Sequence, residues 1–120
     1  HWHVKGPRFR DLHLLFDEQA LEIQGQIDAI GERVRKNGAN TLTSIGSVAA
    51  ATQIADQDDI SLSAEDMIAE LRDDNTKLVN RLKDLKDHAD KASDNATDGM
   101  IDDWTDQAEE RVWFLSSLLH

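Results

Sequence analysis

The chain has no cysteine. That excludes a disulfide-stapled scaffold and thiolate metal sites, and it is compatible with a reducing compartment. Proline occurs once and glycine six times in 120 residues, a composition unlike a sandwich or barrel with many turns. No apolar run approaches the ~20 residues that a membrane-spanning helix needs. Positive charge is scarce as well, with 13 Lys and Arg against 24 Asp and Glu and a net charge of −11. A surface of that sign repels nucleic-acid backbones and anionic membranes and attracts cations, although solubility alone would also account for it.

What the chain does hold is Ala, Leu, Asp, Glu, Lys and Arg, the composition of a helical bundle. With 39% hydrophobic residues it can build one core, so one all-α domain over residues 1–120 is expected. There is no initiator methionine, and residues 1–5 resemble the last turn of a helix. The expectation is therefore a bundle lacking most of its first helix at the N-terminus.

Gly6-Pro7 is a breaker pair, after which a helix is expected from about Arg8 to Lys36, stopped by Asn37-Gly38. Its apolar stripe is Phe9, Leu12, Phe16, Ile23, Ile27, Ile30 and Val34, recurring mostly at threes and fours. Residues 39–62 form a crossover too long for a simple helix hairpin, with a short helix expected over Ser47–Ile54. Its apolar residues Leu42, Ile45, Val48, Ile54 and Ile60 argue against a free linker. Ser63 caps the next helix, with Asp66 placed to complete a capping box. That helix carries Met67, Ile68, Leu71, Leu78, Leu82, Leu85 and Ala89 to about Lys91. A last helix is expected from about Asp98 to Leu118, burying Ile101, Trp104, Ala108, Val112, Leu115 and Leu118.

Four positions near the start stand out: His1, His13, Asp28 and Glu32. His13 and Asp17 are one helical turn apart, as are Asp28 and Glu32, and all four helical positions share one face. On spacing alone, a solvated polar face is the commoner explanation. Yet His13 and Asp28 lie fifteen residues apart, ~22 Å along one helix, too far to meet within a chain. A second copy lying antiparallel across a two-fold axis would bring each His end to an Asp/Glu end, making two identical sites. Imidazole nitrogen with carboxylate oxygen suits iron and related transition metals.

The stretch HWHVKGPRFRDLHLLFDE, followed by DAIGER, resembles the signature of the Dps family of mini-ferritins. The positions that carry it are His1, Trp2, Val4, Lys5, Gly6, Phe9, Leu12, His13, Asp17, Asp28 and Glu32, without gaps. Val112-Trp113-Phe114-Leu115 is a looser echo near the end. His3 departs from the family's usual Asn at that place.

The resemblance implies a ferritin-like four-helix bundle with one long crossover, and a ferroxidase with a di-iron site shared between subunits. His1 and His13 would be neutral imidazole ligands from one subunit. Asp28 and Glu32 would come from the other, with Glu32 able to bridge two irons, and Asp17 would be an auxiliary ligand. Trp2 would pack at a subunit contact beside the site and intercept oxidising radicals. Trp113 aligns with a family aromatic and is expected in the core. Trp104 is expected to pack, while His3, His88 and His120 are expected on the surface. Asp90, Asp94 and Asp98 recur at fours across the last interhelical turn. Their spacing is that of a solvated junction, and the resemblance implies a three-fold pore that draws Fe²⁺ inward.

The function implied is oxidation of Fe²⁺, with hydrogen peroxide as oxidant, and storage of the ferric product in a shell of twelve subunits. Such a protein protects against oxidative damage in the cytoplasm, with nucleoid association possible. DNA binding in the family often rests on a Lys/Arg-rich terminal tail. None lies in these residues, so it would need an N-terminal tail absent from this chain. The rival class is a non-enzymatic DNA-compacting or helical interaction protein whose metal site is vestigial, and which would be indifferent to metal.

Overall fold

The computed structural model describes residues 1–120 and contains only helices, turns and irregular segments. Three long helices, α1 (Phe9–Lys36), α3 (Ala64–Lys91) and α4 (Asn95–Ser117), are joined by a crossover carrying the short α2 (Ile45–Ala51). A helix of 28 residues is ~42 Å long. Two such helices running the same way need a return connection of that length, and the segment between Lys36 and Ala64 supplies it. Gln57 Nε2 donates to Glu70 Oε2 at 2.9 Å, laying the late crossover along α3. The molecule measures 49 × 31 × 19 Å.

The helix ends follow their caps. Gly6 takes φ +111, a conformation that favours glycine, and lets the chain reverse into α1. Ser44 and Ser47 form a reciprocal capping box, which starts α2 at Ile45, two residues before the expected Ser47. Ser63 accepts from Asp66 N at the start of α3. Asp94 accepts from Thr97 N at 3.2 Å and thereby starts α4 one turn earlier than expected, at Asn95 rather than Asp98. Residues 1–5 form no helical turn. Five residues hold too few i→i−4 bonds to offset helix nucleation, so they run irregularly beside α1.

The core has two apolar ends and a polar middle. At one end Val4, Leu12, Phe16, Ile68 and Leu115 pack together. At the other, Leu82, Ala89, Ile101 and Trp104 do, as expected for Trp104. Between them Arg111, only 2% exposed, crosses the bundle. Its Nε donates to Asn75 Oδ1 at 2.7 Å and its Nη1 to Glu22 Oε1. Nearby, Gln26 Nε2 donates to Gln107 Oε1 at 2.6 Å.

Several stripe residues are not buried. Ile23, Ile27 and Ile30 of α1 and Leu85 of α3 are exposed in the single chain. Periodicity fixed their face correctly, but no element of this chain lies over it. Leu42, Ile45, Val48 and Ile60 in the crossover are exposed likewise. Trp113, expected in the core, is 64% exposed. It lies about 160° around α4 from buried Leu115, so an interior position is geometrically closed to it.

Candidate metal centre

Val4 is buried against Leu12 and Phe16, and this anchor folds the first residues back along α1. His1 thereby reaches His13, and their rings stack with centroids 3.9 Å apart and planes 15° from parallel. Phe9 also stacks on His13, with ring centroids 5.1 Å apart.

The two histidines hold each other through the main chain. His1 Nδ1 lies 2.8 Å from the His13 carbonyl oxygen, and His13 Nδ1 lies 2.9 Å from the His1 carbonyl oxygen. A carbonyl only accepts, so each Nδ1 carries the proton and donates it. In the neutral ring that leaves each Nε2 as a lone pair, the state in which imidazole binds a metal. His1 Nε2 faces Asp17 Oδ1 at 3.9 Å. Two acceptor atoms facing one another across that gap call for a cation or a proton between them. The donor set therefore fits a metal such as Fe²⁺, which takes both nitrogen and oxygen ligands.

Asp28 and Glu32 lie farther along α1, beside a shallow depression that also includes Gly31, Arg35, Lys36 and Thr41. Both are exposed. The nearest basic neighbour in sequence, Arg33, is engaged elsewhere, donating to Thr97 Oγ1 at 3.0 Å and Asp94 Oδ1 at 3.1 Å, and Arg35 donates to the Ala39 carbonyl at 2.9 Å and Asn40 Oδ1 at 2.7 Å. The carboxylates thus keep their charge unpaired within the chain. No three His, Asp or Glu side chains of the single chain converge as a metal site. The structure sets His1 beside His13 on one side and Asp17 on another, and leaves Asp28 and Glu32 apart from them.

Two residues on this face escaped the sequence reading. Leu14 and Leu21 are 43% and 58% exposed, and at about 100° per residue they share the face of Asp17, Asp28 and Glu32. They fall outside the buried stripe, and two isolated leucines give little periodic signal. Trp2, next to the first imidazole, is 86% exposed.

The three candidate pore acids differ from one another. Asp94 is held by Arg33, Thr97 and Asn37. Asp98 Oδ1 lies 3.1 Å from Lys86 Nζ, which also contacts Asp102. Asp90 is exposed and pairs with no cation of the chain.

A helical bundle with a long crossover and a His/carboxylate face on its first long helix is ferritin-like, and the ferritin-like domain family matches residues 1–120. The DNA protection during starvation protein of Brevibacillus brevis is 36% identical over 126 residues, covering 99% of this chain and 79% of that protein. The crystal structure of a Dps protein from Bacillus brevis superposes with a TM-score of 0.95 at 34% identity, over 100% of this chain and 80% of that one. A Dps protein from Vibrio cholerae, described as a member of a broad superfamily of ferritin-like diiron-carboxylate proteins, superposes with a TM-score of 0.94 at 28% identity, over 100% and 75%. The chain belongs to the Dps family. No helix in it is long and apolar enough to cross a membrane.

Proposed function

We propose that this chain is a mini-ferritin subunit that oxidises Fe²⁺ at sites shared by two copies and stores the ferric product. The observation that carries the reading is the reciprocal imidazole clamp. It leaves the Nε2 of both rings unprotonated, that of His1 beside Asp17, while the unpaired Asp28 stands ~22 Å along the helix from His13, with Glu32 one turn beyond. A copy laid antiparallel across a two-fold axis supplies each half-site with the other. The exposed Leu14, beside the first half-site, and Leu21, between the two, give that contact apolar area.

Iron is the substrate here. Two Fe²⁺ held at one site give one electron each to a hydrogen peroxide, which takes two protons and leaves as two waters. The electrons are taken in pairs, so hydroxyl radical is not released. His1 and His13 hold iron through Nε2, Glu32 is placed to share two irons, and Asp17 orients a ligand or water. Trp2 stands beside the first ligand, where an indole can be oxidised in place of less expendable groups. Asp90, Asp94 and Asp98 belong to an entry route for Fe²⁺ if three copies meet at the α3–α4 turn. The complete assembly is a closed shell of twelve copies acting in the cytoplasm.

The test is complementation between variants. A His13→Ala chain and a Glu32→Ala chain are each expected to lose rapid peroxide-dependent oxidation of Fe²⁺. Mixed dimers of the two contain one intact site and one doubly damaged site, so partial activity should return. Demonstrated subunit exchange without any return of activity would rule out a shared site.

A further inference from the structure

Asparagine is followed by glycine once in the chain, at Asn37-Gly38, while Asn40, Asn75, Asn80 and Asn95 precede residues that carry side chains. Both residues are exposed at the end of α1, and the space a Gly38 side chain would enter is open. Gly38 takes φ +81, a left-handed conformation that suits glycine. With no side chain on the glycine to obstruct it, the backbone nitrogen of such a pair can attack the asparagine's own Cγ.

That reaction needs only water. Gly38 N gives its proton to solvent and bonds to Asn37 Cγ, the Cγ–Nδ2 bond breaks, and the nitrogen takes up a proton and leaves as ammonia. Water then opens the five-membered imide at either carbonyl, leaving aspartate or isoaspartate at position 37.

The fold holds the reaction back. Ring closure needs Gly38 N nearly eclipsed with Asn37 Cβ, and Asn37 at φ −83 and ψ 4 keeps the two far from it. Gly38 N is also engaged, donating to the Arg35 carbonyl at 2.9 Å. The side-chain amide is held at both ends. Arg33 Nη2 donates to Asn37 Oδ1 at 3.1 Å, and Asn37 Nδ2 donates to Asp94 Oδ2 at 3.0 Å. Arg33 itself is fixed on α4 by Thr97 and Asp94. Attack therefore requires the end of α1 to come away from α4 first, a local opening of the bundle.

We propose that Asn37 is a site of spontaneous deamidation that the contact between α1 and α4 restrains, and that its conversion releases that contact for good. The donor to Asp94 becomes an acceptor, so a carboxylate faces a carboxylate where a hydrogen bond stood, and Arg33 is left to neutralise both. The new charge also stands at the negative end of the α1 dipole. Isoaspartate lengthens the main chain by one methylene and displaces the bond from Ala39 N to the Val34 carbonyl that closes the helix. The change is covalent, so re-closing the bundle does not undo it. The inference goes beyond the iron reading and depends neither on metal nor on self-association.

The full chain is incubated in mildly alkaline buffer and mapped by peptide mass spectrometry. The conversion should appear at Asn37 and at no other asparagine, about 10-fold or more slowly than in the same chain unfolded in urea. Arg33→Met frees the amide while leaving the Asp94 cap of α4 in place, and it should bring the rate close to the unfolded one with helix content unchanged. Asp94→Ala should do the same. Equal rates in folded and unfolded parent would overturn the restraint, and so would parent-like rates in both variants. Conversion at another asparagine first, or none in the Arg33→Met chain, would overturn the site.

The release is tested with Asn37→Asp against Asn37→Ser, which loses the donor without gaining charge. Asn37→Asp should melt lower than Asn37→Ser at neutral pH, and its Thr97 amide should exchange hydrogen faster. Equal melting and exchange in the two variants would overturn the release.

Discussion

Arg33 Nη2 lies 3.1 Å from Asp94 Oδ1, and that contact pins the last turn of α1 to the first turn of α4. Asp94 also accepts from Thr97 N, Thr97 Oγ1 and Asn37 Nδ2. The Thr97 hydroxyl and amide, then Asn37 and Arg33, hold its carboxyl below the ordinary carboxylate range. An acid with these partners is first of all a helix cap and a clamp between helices.

The sign of its pH dependence follows. A carboxyl whose folded pKa is depressed adds stability that is present above the unfolded value, ~3.9, and is lost as pH falls through the folded value. Asp94→Asn should therefore melt below the parent at pH 7, with the difference closing in acid as pH falls below the unfolded value and through the depressed folded one. Melting curves at pH 7 and in acid check this. A gap that stayed constant into acid would mean the charge contributes nothing.

Lys86 bridges Asp98 and Asp102, so it masks acid beside the proposed iron route. Lys86→Met should unmask two carboxylates per subunit and speed oxidation of dilute Fe²⁺ a few-fold at low salt. Asp90→Asn should slow it. Both effects should fade at 1 M salt, where the Debye length is ~3 Å. Stopped-flow rates at the two ionic strengths decide the matter, and rates equal to the parent's at low salt would remove these residues from any entry route.

Glu22 is the only anionic partner of buried Arg111, one of whose terminal nitrogens, Nη2, is buried without a partner. Glu22→Ala should destabilise the fold by about 1–2 kcal/mol, less than for a fully buried pair because the glutamate is partly in water. Replacing Glu22, Asn75 and Arg111 together by Leu, Leu and Met should recover most of that loss. Urea unfolding of the single and triple variants measures it. A triple variant less stable than the single one would show that the network specifies the packing.

Ser93 sits at φ +55 just beyond α3, where its amide donates to the Asp90 carbonyl and that of Asp94 donates to the Ala89 carbonyl. This is the left-handed position that helix ends commonly give to glycine. Ser93→Gly should raise stability by about 0.5–1 kcal/mol, the relief of strain exceeding glycine's added unfolded-state freedom. An unchanged urea midpoint would mean the two cancel.

The long helices were legible because their signals are local: Gly6-Pro7 before α1, Asn37-Gly38 after it, Ser63 before α3. The start of α4 was not, because Asp94 was weighed as a pore acid and the same side chain serves as a cap. Arg111 had a signal that went unused, since Trp104, Ala108, Arg111, Leu115 and Leu118 recur at threes and fours. A charged residue in such a series implies a buried partner. The exposure of Ile23, Ile27 and Ile30 was beyond reach for another reason. Periodicity tells which face is apolar and says nothing about what covers it. At the candidate site, His13, Asp17, Asp28 and Glu32 could be placed on one face from spacing alone. The mutual clamp of His1 and His13 could not, because it depends on main-chain carbonyls that any residue would supply.

The polar belt of Arg111, Asn75 and Glu22 divides the interior where a continuous apolar core would make the helices open as one. Hydrogen-bonded side chains fix registry between the helices but resist separation less than packed aliphatic surface does, because water can replace their partners. The imidazole end and the α3–α4 turn can therefore loosen independently. A metal bound at the imidazole end would rigidify that end alone, and the turn opposite would keep its own rhythm of opening.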